Sequence, residues 1–245
     1  MPIHDFKSQR LFADQPLRQR AAIELDRNQA NYLISVLRMK SGTHILIFNG
    51  EDGEWRAELE ITGRKAGTLT PVEQTRPQPV AGDLVYCFAP LKQARLDYMV
   101  QKAVEMGAGV LQPVITQHTQ AQKINPERMR ANAIEAAEQC GILSIPDCRD
   151  AVQFDALLAG WDTDRVLIFA DETAAEINPL EALKTCRGKP LGLLIGPEGG
   201  FSQAEREQIA SLDNAVTISL GPRILRADTA AVAALAIIQA ACGDW

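Results

Sequence analysis

The chain has 245 residues, 46% of them hydrophobic, enough for one large core or two smaller ones, and its composition is that of a globular protein. A formal net charge of −6 gives no overall attraction to nucleic acid, so any RNA or DNA site has to be a local basic patch. The five cysteines lack C-x-x-C spacing and the three histidines (His4, His44, His118) are scattered, which argues for reduced thiols in a cytoplasmic protein and against a metal enzyme.

The N-terminus is polar and charged, unlike a signal peptide. Residues 1–40 carry seven Lys/Arg against four Asp/Glu, a mild positive bias. Residues 1–73 read as a small β-rich unit of barrel type: 54–61 alternates polar and apolar with period two, and Asn49-Gly50 and Asp52-Gly53 are turn signals. One helix is expected over 27–39, with Asp26 as its N-cap and Leu33, Val36 and Leu37 facing inward. Residues 73–81, with Pro77 and Pro79, form a semi-rigid linker.

From residue 82 to 245 the rhythm changes to strand followed by helix, the pattern of an α/β domain with a mostly parallel sheet. Strands are expected at 84–89, 110–115, 165–170, 191–195 and 216–220. Pro113 marks the second as an edge strand or an early end. Helices are expected at 93–106, stopped by Gly107, from Asn125-Pro126 to Gly141, and from Asn178-Pro179 to about Gly188. The last apolar run, 230–242, is alanine-rich and too short to span a bilayer.

Two stretches carry the chemistry. Residues 191–195 form a buried strand that ends in Gly196-Pro197-Glu198-Gly199-Gly200, where glycines let backbone approach a bound group, and Ser202 to Glu205 is a capping box opening a helix. About twenty residues on, a second strand breaks at Gly221-Pro222, and Arg223-Ile224-Leu225-Arg226 leads to a helix opened by Asp228 or Thr229. The two strand exits can floor one ligand pocket. No dinucleotide fingerprint, phosphate-binding lysine loop or nucleophile elbow is present, which removes most nucleotide-hydrolysing, hydride-transfer and acyl-transfer readings.

These residues make the chain recognisable. It resembles the RsmE family, the small-subunit ribosomal RNA uridine-N3 methyltransferases of the knotted SPOUT class. Arg10-Leu11-Phe12, residues 33–38 and Phe48-Asn49-Gly50 are similar to the family's PUA-like RNA-binding domain. Gln101-Lys102-Ala103-Val104-Glu105-Met106-Gly107 and Ala136-Ala137-Glu138-Gln139 match two further signatures, and residues 195–201 and 220–226 match the two cofactor motifs. The resemblance implies a PUA-like β-barrel over 1–73 and a SPOUT methyltransferase domain with a trefoil knot over 82–245. It also implies S-adenosyl-L-methionine held by Ile195, Gly196, Pro197, Glu198, Gly199, Gly200, Leu220, Gly221, Ile224 and Leu225. The implied partners are 16S rRNA within the 30S subunit and a second copy of the chain, with no membrane and no metal. Arg10, Arg38 and Arg223 are the implied RNA contacts. The chain departs from the family pattern at Asn31 (commonly histidine), Ile142 (usually arginine) and Ala227-Asp228-Thr229 (usually Thr/Ala-Glu-Thr), which leaves the cofactor glycines untouched.

The acceptor's chemistry assigns the catalytic role. A uracil N3 is a poor nucleophile until it loses its proton; a guanidinium near O2 or O4 favours the anion, and this role falls to Arg226. Glu198, Asp228 and bulk water stand open as proton acceptors. Plainer readings stand beside these: the glycines as a turn without ligand, Glu198 as a carboxylate favoured by the following helix's dipole, and the arginines as solvated surface. The competing functions are a non-catalytic RNA-binding protein that keeps the fold and an enzyme using the glycine turns for another ligand.

Overall fold

The computed structural model describes residues 5, 7–120, 123–174, 178–243 and 245; His4 lies outside them. Two compact units emerge, Met1–Ala81 with Ala137–Ile145 and Gly82–Ala136 with Pro146–Trp245.

The first unit contains β1 (Arg10–Phe12), β2 (Ile23–Glu24), α1 (Arg27–Ala30), β3 (His44–Phe48), β4 (Glu54–Gly63) and β5 (Ala66–Arg76). The period-two pattern of β4 sends Ala57 and Leu59 inward, where they pack with Leu33, Ile45, Ile47 and Leu69. Sheet order is β1-β3-β4-β5-β2, with β1 parallel to β3 and the other neighbours antiparallel. Among the described residues β1 and β2 are the two free edges and do not pair, so the expected barrel is a half-barrel. With only two residues in β2, little ladder is available to close it.

Asp26 caps α1 with a full capping box to Gln29, as the sequence predicts. The helix then widens to a π-helical turn over Asn31–Val36, closed by the Leu37 N–H donating to the Tyr32 carbonyl. This wider winding keeps Leu33 inside but carries Val36 and Leu37 round to solvent, at 60% and 37% exposure, so their expected inward orientation is corrected. Arg38 follows in the left-handed region with φ of 55°.

The second unit runs β6 (Val85–Phe88), α2 (Gln93–Glu105), β7 (Val110–Ile115), α3 (Pro126–Cys140, whose last residues count with the first unit), β8 (Asp147–Cys148), β9 (Val152–Gln153), α4 (Phe154–Ala159) and β10 (Val166–Ala170). It continues through α5 (Pro179–Leu183), a 3₁₀ turn Lys184–Cys186, β11 (Leu191–Ile195), α6 (Gln203–Ala210), β12 (Ala215–Ile218) and α7 (Ala227–Cys242). All pairings are parallel, in the order β12-β10-β11-β6-β7-β8, with β9 also on β7. Buried on both faces, β6 and β11 read as unbroken apolar runs. Pro113 does not mark an edge: β7 pairs with β8 at Val110 and Leu111 and with β9 at Val114 and Ile115, and the proline sits in the gap where no N–H is needed.

Strand order places the functional residues. Since β10 lies between β11 and β12, the two glycine-bearing exits leave non-adjacent strands, and the exit of β10 falls between them. Parallel strands put all three C-terminal ends on one edge, the side where open α/β sheets bind ligands.

Candidate active site

At that edge lies a cavity of about 250 Å³. Its walls are Ile195, Gly196, Pro197, Glu198, Gly199 and Gly200 after β11, Leu220, Gly221, Arg223, Ile224 and Leu225 after β12, Ala170, Asp171 and Glu172 after β10, and Ala227 and Ala230 from α7. Every position assigned to the cofactor from the sequence thus lines one cavity.

The glycines serve separate purposes. Gly200 closes the turn by donating its N–H to the Pro197 carbonyl at 2.9 Å, in a left-handed conformation with φ of 67°. A Cβ on Gly196 would lie 2.5 Å from Cε2 of Phe201, so this glycine is small to seat the Phe201 ring rather than to admit a ligand. That ring is buried edge-on to Phe169, with centroids 5.0 Å apart. Gly221, with φ of 98°, is the reverse case: its Cβ would meet nothing within 4 Å, so backbone conformation alone demands glycine.

Acids give the cavity its electrostatic character. Asp171 is buried, accepts hydrogen bonds from the Thr173 N–H and hydroxyl, and lies 3.3 Å from Nη1 of Arg206. Glu172 accepts from Nη2 of the same arginine at 2.7 Å. Arg206, on α6, so fixes the β10 exit beside the β11 exit. Glu198 is exposed and 3.5 Å from Arg95 on α2. It stands five residues ahead of α6, whose cap is Ser202, so the helix-dipole reading of Glu198 is corrected. Three carboxylates and one lining arginine, among apolar Ile195, Leu220, Leu225 and three alanines, suit a ligand that is partly apolar and carries positive charge.

The arginines divide. Arg223 is exposed on the cavity lining. Arg226 is the N-cap of α7 and follows lining residue Leu225 without itself lining the cavity; it is exposed, and its side chain is without a partner among the described residues. The helix begins one residue before Asp228, earlier than the sequence predicts. Arg38 is exposed in the first unit, also without a side-chain partner among the described residues.

Arg10 departs from its assigned role. It is buried, ion-paired to buried Glu54, and lies over the Phe48 ring at 5.3 Å. Burial holds its guanidinium below the ordinary value, and the Glu54 charge offsets this only in part. Burial alone would raise the Glu54 carboxyl, but hydrogen bonds from Arg76 and Thr75, with the nearby Arg10 charge, hold it below its ordinary value. Arg10 is spent inside the fold, where it cannot meet an RNA phosphate.

Sequence reasoning missed Ala170, Asp171, Glu172, Ala227 and Ala230. The buried strand ending at Ala170 was visible in the sequence; its place between the two glycine exits was not. Among the described residues no cluster of three metal-ligating side chains occurs, and no helix is long and apolar enough to cross a membrane. Burial pushes the Cys87 thiol up to about 12, which makes it inert packing.

Comparison with known proteins decides the family. Residues 76–239 match the RNA methyltransferase domain family and residues 25–72 match the RNA methyltransferase PUA domain. The chain is 31% identical over 235 residues to ribosomal RNA small subunit methyltransferase E of Rickettsia conorii, covering 95% of this chain and 96% of that one. The chain belongs to the ribosomal RNA small subunit methyltransferase E family. Its Bacillus subtilis relative of the same name is 29% identical over 92% of both chains. A methyltransferase of Legionella pneumophila, solved with the bound cofactor SAM, superposes with a TM-score of 0.84 at 28% identity over 98% of this chain and 100% of that one. Family membership makes the α/β fold a PUA-like half-barrel followed by a parallel-sheet methyltransferase domain.

Proposed function

We propose that the chain transfers a methyl group from S-adenosyl-L-methionine to N3 of a uridine in 16S rRNA of the small ribosomal subunit. The observation that carries this reading is the convergence of the β10, β11 and β12 exits on one acid-bearing cavity. That cavity fits the cofactor: apolar walls for its rings and carbon chain, glycine-shaped backbone on two sides, and carboxylates for a sulfonium and an ammonium. When bound, the cofactor supplies an electrophilic methyl group. The chain's own residues do the rest. Ile195 to Gly200 and Leu220 to Leu225 bind and orient it, Arg206 keeps Asp171 and Glu172 on the wall, and in-line positioning supplies much of the rate.

Arg226 holds its guanidinium toward a uracil carbonyl and favours loss of the N3 proton, each pKa unit gained being worth about 1.36 kcal/mol. In this reading Glu198, exposed on the lining, takes that proton; Asp228 is outside the lining and accepts from the Thr229 N–H. The N-terminal domain, 1–73, is the RNA-binding part and 82–245 the catalytic part. Residues 27–50 contain Arg27, Arg38 and Lys40 and no carboxylate, which supports an RNA face around the π-helical turn where Tyr32 is exposed. Arg223 contacts the target at the cavity itself.

The enzyme works in the cytoplasm as a homodimer. In support, Ile224 is 89% exposed on the lining, an aliphatic side chain that a second copy would cover, and α7 is rich in small residues. A trefoil knot belongs to the same reading: the chain leaves β12 at the sheet edge and returns across it, packing α7 on α2 and β11. The test is transfer of labelled methyl to 30S particles and to naked 16S rRNA from a strain lacking the enzyme, followed by nucleoside analysis. N3-methyluridine in either substrate supports the proposal; no label in both, or a different methylated nucleoside, overturns it.

A further inference from the structure

His118 lies on the segment after β7, outside the cavity lining, and no step above uses it. Its Nδ1 is 3.1 Å from the carbonyl oxygens of both Gly199 and Gly200. Carbonyl oxygens only accept, so Nδ1 carries the hydrogen and serves both of them. Peptide groups are planar, so holding these two oxygens fixes two successive peptide planes of the β11 exit. The first is held at both ends, because the Gly200 N–H donates to the Pro197 carbonyl at 2.9 Å.

Packing points the same way. A Cβ on Gly199 would lie 3.1 Å from Cβ of His118, so the glycine is what lets the histidine sit over the loop. The histidine is itself anchored. Thr116 donates its N–H to Oγ1 of Thr119 at 2.9 Å, closing the turn that presents residue 118. Gln117 donates its N–H at 2.8 Å to Oε1 of buried Glu205, whose other oxygen accepts the Ser202 N–H at 2.8 Å. One carboxylate on α6 therefore ties the His118 turn to the end of the cofactor loop.

We infer that His118 is a positioning residue for the methyl-donor site, clamping the Gly199 and Gly200 peptides in their ligand-binding orientation. It acts through the loop, without touching donor or acceptor, and the inference rests on the cofactor reading of the cavity. Side-chain geometry supplies the test. The asparagine amide nitrogen falls where imidazole Nδ1 does, whereas the glutamine amide falls at Nε2 and misses both carbonyls. Calorimetric titration with S-adenosyl-L-methionine should show affinity lower by about three- to tenfold in His118→Ala and His118→Gln, and close to wild type in His118→Asn. In turnover the cofactor KM should rise by the same factor while kcat changes far less, and all variants should melt with the wild type before cofactor is added. Equal affinity of His118→Ala and wild type overturns the inference and leaves the cofactor reading standing, as does rescue by glutamine equal to that by asparagine. Wild-type protein that binds no S-adenosyl-L-methionine removes both together.

Discussion

Replacing Gly196 with alanine isolates one packing decision at the centre of the site. The backbone there is open to any residue, since Gly196 is absent from the positive-φ glycines. The added methyl would lie 2.5, 2.9 and 3.2 Å from Cε2, Cδ2 and Cζ of Phe201, closer than carbon atoms approach. The ring has little room to yield, held edge-on by Phe169 and tilted against Phe154 at 6.0 Å. Overpacking of this kind costs about 1–3 kcal/mol. Two relaxations are open: the ring moves into the core, or the exit of β11 moves outward. The first lowers the melting temperature by about 2–4 °C per kcal/mol for a chain of this size. The second puts the strain into ligand binding, where 1–3 kcal/mol is about 5- to 150-fold in affinity. Thermal unfolding and calorimetry with S-adenosyl-L-methionine, run together, should recover the strain between them. Gly188→Ala is the control: its φ is 73°, its Cβ would meet nothing within 4 Å, and it lies outside the lining. It should lose stability to backbone strain of about 1–2 kcal/mol with cofactor affinity intact. A Gly196→Ala protein matching the wild type in both measurements would refute the packing argument.

Arg226→Ala should bind cofactor normally yet lose about 100- to 1,000-fold in methyl transfer, as loss of a charge-stabilising donor does; wild-type turnover would remove the arginine from the mechanism. Arg10→Ala should leave RNA binding by folded protein unchanged but cost up to about 3–5 kcal/mol in urea unfolding, because among the described residues Glu54 keeps only Arg76 as a cationic partner. Arg38→Ala should do the opposite, flattening the dependence of log K on log salt by about 0.7 per lost phosphate contact, with unfolding unchanged. Acid should weaken the N-terminal unit through Glu54. Its carboxyl is held below the ordinary value, so its contribution is present above that value and lost as pH falls through the native one. Urea midpoints taken from neutral to acid pH should therefore fall more steeply in the wild type than in Glu54→Gln, and parallel curves would contradict this.

Local structure was legible wherever one residue decides it. Asp26 and Ser202 cap their helices because their side chains accept from backbone N–H groups a few residues on, a relation written in spacing alone. The two glycine-bearing loops that line the cavity were legible for the same reason, Gly-Pro breaks after buried strands. The π-helical turn was not: Val36 and Leu37 fit an α-helical stripe, and only the tertiary setting chooses the wider winding that exposes them. Long-range order was harder still. Nothing local says that β10 inserts between β11 and β12, so Asp171 and Glu172 were invisible as lining, although the strand before them was plain. Arg10 misled for a related reason. A basic residue in a resembling segment reads as surface, and its partner Glu54 lies 44 residues away.

The cavity at the three strand ends is the central claim, and a crystal structure of the chain with S-adenosyl-L-methionine tests it most directly. The donor should lie among Ile195 to Gly200, Leu220 to Leu225 and Asp171, with its methyl group open toward Arg226. Donor density at any other place on the chain, with this cavity left to solvent, would contradict the account.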